Sequence, residues 1–162
     1  MWFLFIGCNQ ETSSPNYIPI DISKIKGTWW RSSLNISSVK NGNPIYIDTG
    51  YTKDNFDMIL TISADTMIFY EKKDITICDS LPTLRTTKSI NQYLIKNDTL
   101  TFWSNFSEMQ ALMAFNNDTL IQSIILDSHN PGVVFYGYGM MVNKFLKYTG
   151  QVPPVNWPTY CP

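Results

Sequence analysis

Three stretches of this chain, SADTMIFY (Ser63 to Tyr70), KNDTLTFW (Lys96 to Trp103) and NNDTLIQS (Asn116 to Ser123), place Asp-Thr and then Leu or Met between apolar runs. Asn and Asp tolerate the left-handed backbone of a tight hairpin, and their short side chains can bond nearby backbone N–H groups. Thr then re-enters β geometry, and Leu or Met is the first side chain to return to a core. The copies are unequally spaced, so they are hairpin signals and not units of a solenoid. A chain punctuated in this way is expected to be an antiparallel meander.

The remaining punctuation agrees. Candidate strands fall at 27–36, 44–48, 56–63, 66–72, 74–78, 89–96, 99–105, 109–116, 119–127, 132–138 and 141–148, with helix competing only between Asn105 and Phe115. In FDMILTIS, Phe56, Met58, Leu60 and Ile62 share one face against Asp57, Thr61 and Ser63, interrupted by Ile59. Leu100 and Phe102 oppose Thr99, Thr101 and Trp103, while Leu120 and Ile124 share their face with Gln122. Sequential half-buried strands of this kind are expected to close into an all-β, up-and-down barrel of about eight to ten strands, because closure removes the exposed edges. Within it, GYGMM (Gly137 to Met141) is expected to form a β-bulge.

At 162 residues the chain fits one domain. Charged residues make up only 15%, against about 25% in an average domain, which suits a β-rich exported protein. The net charge is -1 and no stripe interleaves Lys or Arg with aromatics, so nucleic acid is not an expected partner. No cofactor is implied. G-x-S-x-G, H-E-x-x-H and a phosphate-binding glycine loop are all missing, and the single histidine, His129, sits in the turn-like HNPG. The chain is therefore expected not to be an enzyme, nor to hold a metal.

The start, MWFLFIGCNQETSSPN, passes from a short apolar run into a polar stretch at Gly7-Cys8. Phe5-Ile6-Gly7-Cys8 resembles the lipobox of bacterial lipoproteins, which implies a lipid on Cys8 and a place in the cell envelope, on its periplasmic face or at the cell surface. Phe5 stands where that pattern has Leu, and the run lacks a basic leader, so the true start is expected upstream. Residues 9–24 would then be a polar tether, 25–149 the barrel and 150–162 a proline-rich tail. Setting Cys8 aside leaves Cys78 and Cys161, either a disulfide or two free thiols. Bonded, they would add about 4 kcal/mol in the chain-entropy model and tie down the tail.

Gly27-Thr28-Trp29 in KIKGTWWRSS resembles the G-x-W start of the lipocalin or calycin class, especially the short lipocalin-like lipoproteins of Bacteroidetes. In that class the Trp closes one end of an antiparallel barrel, often beneath a late-strand cation, here Lys144 or Lys147. The resemblance implies a barrel able to hold a small apolar molecule, entered from the opposite end. Trp30, Tyr70, Trp103, Phe135, Tyr136 and Tyr138 are enough to line such a pocket or to fill it as core. Thr66, Ser80, Thr99 and Thr119, each after an Asp, are similar to the acceptor pattern for O-glycosylation of exported Bacteroidetes proteins. The expected role is non-catalytic. It is either a lipid-anchored carrier of a small apolar ligand or a module presenting barrel loops to an envelope protein, the partner itself being unspecified.

Overall fold

The computed structural model describes residues 21–75, 83–96, 99–104, 107–128 and 133–155. A short helix, α1 (Ile22–Ile25), leads into nine strands: β1 (Gly27–Lys40), β2 (Asn43–Gly50), β3 (Met58–Ile62), β4 (Thr66–Ile75), β5 (Thr83–Lys96), β6 (Thr99–Ser104), β7 (Ser107–Asn116), β8 (Thr119–Leu126) and β9 (Tyr138–Lys147). A second short helix, α2 (Val133–Tyr136), lies between β8 and β9. Every paired neighbour is antiparallel, and β9 returns to β1 from Trp29↔Lys147 to Val39↔Tyr138. Eight strands thus form a closed up-and-down barrel, with β2 as an extra strand.

β2 is extra because β1 changes partner along its length. Its first residues pair with β3, ending at Trp30↔Ile59, and its later ones pair with β2, from Ser33↔Gly50 to Lys40↔Asn43. Between the two lies a register shift against β9, where Arg31 pairs with Phe145 and Ser33 with Lys144. The fork and the bulge therefore coincide at Arg31-Ser32. The β1–β2 hairpin turns through Asn41 (φ 52) and Gly42 (φ 78), both left-handed, as a two-residue Asn-Gly turn requires.

The three Asp-Thr stretches are hairpins. Ile62↔Met67, Lys96↔Thr99 and Asn116↔Thr119 flank them, Asn117 has φ 45, and Ser63 N donates to Thr66 O at 2.9 Å. Thr66, Thr99 and Thr119 each open the next strand half-buried, and Met67, Leu100 and Leu120 behind them are fully buried. Strands alternate in direction around the barrel, so all three hairpins lie at the end where β1 begins and β9 finishes.

Several boundaries differ from the sequence reading. Within the expected strand at 132–138, Val133–Tyr136 form α2, ended by Gly137 at φ 77, whose N–H donates to Val133 O at 2.9 Å. GYGMM holds no bulge, since β9 pairs without interruption from Tyr138 and the irregularity lies on β1. Gly139 is needed for another reason, because a Cβ there would run into Ser37 O and Ser38 Cα of the neighbouring strand. Segments 66–72 and 74–78 belong to one strand as far as Ile75, β5 begins at Thr83 instead of 89, and Ser107 to Asn116 is strand, not helix. Of the expected tether, residues 22–24 lie in α1, whose N-cap Asp21 accepts from Ser23 N at 2.9 Å. Its residues before 21 lie outside the described residues.

Candidate functional site

The barrel's two ends differ, and Trp29 makes the difference. Its side chain is 1% exposed, and its Nε1 donates to Ile25 O at 2.7 Å, which ties α1 under the barrel. Phe115 meets the ring edge-on at 6.0 Å, and Lys147 Nζ stands 3.8 Å from the ring centroid while donating to Lys26 O at 2.8 Å. Burial pushes the Lys147 amine below its ordinary value. Gly27 fits beside it at φ 122, where a Cβ would lie 2.8 Å from Lys147 Nζ. Lys144, three residues before Lys147, lies on the other face of β9.

Toward the other end the core is covered by apolar residues of which several are half-buried. Ile36 and Leu126 are fully buried there, whereas Leu34, Ile47, Met109, Val133, Tyr136 and Met141 pack on the same core half-buried. Of these, Leu34 lies mid-barrel in the row of Asn143 and Gln122, while Ile47, Met109, Val133, Tyr136 and Met141, from β2, β7, α2 and β9, form an apolar rim opposite Trp29. Lys40 Nζ fixes α2 there by donating to Val134 O at 2.7 Å and Phe135 O at 3.0 Å.

A polar chain crosses this apolar interior. Arg31, at the fork, donates through Nε to Asp57 Oδ1 at 2.9 Å and through Nη2 to Asp57 Oδ2, and its Nη1 reaches Asn143 Oδ1 at 3.0 Å. Asn143 Nδ2 then donates to Gln122 Oε1 at 3.1 Å. Gln122 is 2% exposed, and its Nε2 has no partner among the described residues. A buried donor left in this way costs about 1–3 kcal/mol, which makes it the most conspicuous polar feature of the interior.

Tyr51 lies against the same ion pair, with the Arg31 guanidinium carbon 5.6 Å from its ring centroid. Burial first, and then its hydrogen bond with Asp57, push the Tyr51 hydroxyl from 10.0 up to about 12, the Arg31 charge working in the opposite direction. The unfolded chain ionises this phenol at its ordinary value while the folded protein keeps the proton. The folded state therefore binds more protons between the two values, and its stability falls as pH rises through that window. Tyr51→Phe is expected to flatten this part of the alkaline decline. Urea midpoints of both proteins from about pH 9 to about pH 12 check it, and parallel curves would contradict it.

The five aromatic pocket candidates whose side chains are described do not come together. Trp30 and Tyr70 alternate with the inward Trp29 and Phe69, and pack on the barrel's outer side with Phe56, Ile59, Tyr51, Leu146 and Tyr148. Phe56 accordingly leaves the face of Met58, Leu60 and Ile62, and stacks edge-on with Tyr148 at 5.5 Å. Tyr136 joins the rim, and Phe135 and Tyr138 are exposed. The Trp103 side chain, Ser80 and the cysteines Cys8, Cys78 and Cys161 lie outside the described residues. The sequence reading missed Arg31 and Asn143 as interior groups. Gln122 was visible, as the polar residue on the face of Leu120 and Ile124.

Among the described residues, no group of three or more His, Cys, Asp or Glu could hold a metal ion, and no helix is long and apolar enough to cross a membrane. Comparison with family models, curated proteins and solved structures finds no match to this chain.

Proposed function

We propose that this chain is a lipid-anchored, lipocalin-like protein of the bacterial cell envelope that binds a small apolar ligand in its barrel without catalysis. The observation that carries this reading is the asymmetry of the barrel: one end closed by the buried Trp29 and Ile25, with Phe115 and Lys147 against the indole, the other rimmed by half-buried apolar side chains that pack on the core. A ligand would enter at that rim, as the resemblance to lipocalins implies, and the lipid on Cys8 would hold the domain at a membrane. The neutral dye N-phenylnaphthylamine, titrated into the full chain, should show saturable fluorescence enhancement, abolished by Met109→Glu at the rim and kept by Val134→Glu outside it. Absence of saturable binding overturns the carrier role.

A second reading, a module that docks an envelope protein, is favoured by an exposed apolar surface beside the rim. Tyr46 of β2 pairs with Ser37, Ser37 with Met140, and Met140 with Ile125, while Val39 pairs with Tyr138. Val39, Tyr46, Ile125, Tyr138 and Met140 are exposed, as are Val134 and Phe135 of α2. If the dye fails to bind and Val134→Glu disrupts a complex recovered from envelopes, this reading replaces the first.

A further inference from the structure

The polar chain inside the barrel has a fixed direction, and that direction selects a ligand. Arg31 carries donors only, so Asn143 must turn Oδ1 toward it. Asn143 Nδ2 is then committed to Gln122 Oε1, and Gln122 can present nothing but its Nε2 donor to the interior. From this we infer that the barrel selects an apolar molecule bearing one uncharged acceptor oxygen, such as a ketone, ester or amide carbonyl, received by Gln122 Nε2. The inference rests on the carrier reading and deepens it.

The position of Gln122 sets the ligand's orientation. It lies on β8 one inward position beyond Leu120, close to the end that Trp29 seals, and its neighbours on the same face and across the strand pairs are Leu120, Ile124, Met113 and Asn143. Ile124 and Leu126 continue from it toward the rim as buried apolar residues. The ligand therefore enters oxygen first and leaves its apolar body along Ile124 and Leu126. An uncharged head is favoured because the Arg31 charge is already taken up by Asp57 with two nitrogens. A carboxylate at Gln122 would lose its hydration, and the guanidinium at the end of its hydrogen-bond chain is already paired with Asp57.

The test uses the full chain and three probes of equal chain length: a medium-chain methyl ketone, the alkane and the fatty acid, each displacing the neutral dye. In the unaltered protein the ketone should displace the dye at lower concentration than the fatty acid. Gln122→Met should lower the ketone-to-alkane affinity ratio on the order of fivefold, the effect of one lost hydrogen bond. Because that variant also strips Asn143 of its acceptor, a second measurement is made on the unaltered protein. The Gln122 side-chain amide NMR signals should move on addition of ketone and stay in place with alkane. If ketone and alkane both bind but the ratio and the amide signals do not change, the Gln122 assignment is overturned and the carrier reading stands. A fatty acid that binds best overturns the uncharged head, and failure of every probe and of the dye overturns the carrier reading itself.

Discussion

Trp29→Ala is expected to lower the unfolding free energy by about 3–5 kcal/mol, the cost of emptying a large aromatic site in a core. The ring is nearly inaccessible, so little of the space can be refilled from solvent. Three contacts fail together: Ile25 O loses its donor, Phe115 its edge-on neighbour, and Lys147 the ring face beneath its ammonium. The last is worth about 0.5–1 kcal/mol at an exposed site and about 2 when desolvated. A fall in urea midpoint at unchanged slope is the expected record. Trp29→Phe refines the test, because it keeps most of the apolar volume and drops only the Nε1 donor, so its cost should be about 1–3 kcal/mol. Equal midpoints for Trp29→Ala and the unaltered protein would mean that this end of the barrel is not sealed by the indole.

The neighbouring Trp30 shows where sequence reasoning reached and where it stopped. Period-two alternation places adjacent residues on opposite faces, so a Trp29 that points inward already sends Trp30 outward. Trp30 is nevertheless among the pocket candidates because large aromatics signal burial, and at Trp29-Trp30 both faces of β1 are buried. The outer one is covered by Tyr51, Phe56 and Tyr148, residues from the segments flanking β3 and β9. Tyr70, next to the inward Phe69, was misplaced in the same way. Local signals read well: the Asp-Thr hairpins fall where the turn chemistry puts them, and the Leu or Met after each is in the core.

Signals that depend on distant partners read poorly. VVFYGY has the composition of a strand, yet its first four residues turn as α2, because Gly137 supplies a left-handed stop and Lys40, far away in sequence, binds two of the helix carbonyls. The Asn41-Gly42 turn was a short-range signal for the β1–β2 hairpin, but the fork behind it depends on which strand takes each half of β1. An arginine in a strand ordinarily reads as solvent-facing. At Arg31 the fork instead lets the side chain reach Asp57 before β3 and Asn143 on β9.

That placement makes Asp57→Ala the second large effect. Removing one member of a buried ion pair costs about 3–5 kcal/mol because the other charge is left uncompensated. The Arg31 side chain is 11% exposed and that of Asp57 28%, so water reaches the pair on one side and the expected loss lies near the lower end, about 3 kcal/mol. Replacing both residues, Arg31→Leu with Asp57→Leu, removes the stranded charge and should recover part of the loss, though Asn143 Oδ1 then lacks its donor. A double-mutant cycle in urea separates these terms, and a loss below about 1 kcal/mol for Asp57→Ala would place Arg31 in water. The same substitution bears on ligand choice. With Asp57 gone, the Arg31 charge faces the interior unopposed, and the preference we propose for the barrel should shift from the ketone toward the fatty acid. On the proposed carrier role, selection of an uncharged oxygen would thus depend on a carboxylate that the ligand itself never touches.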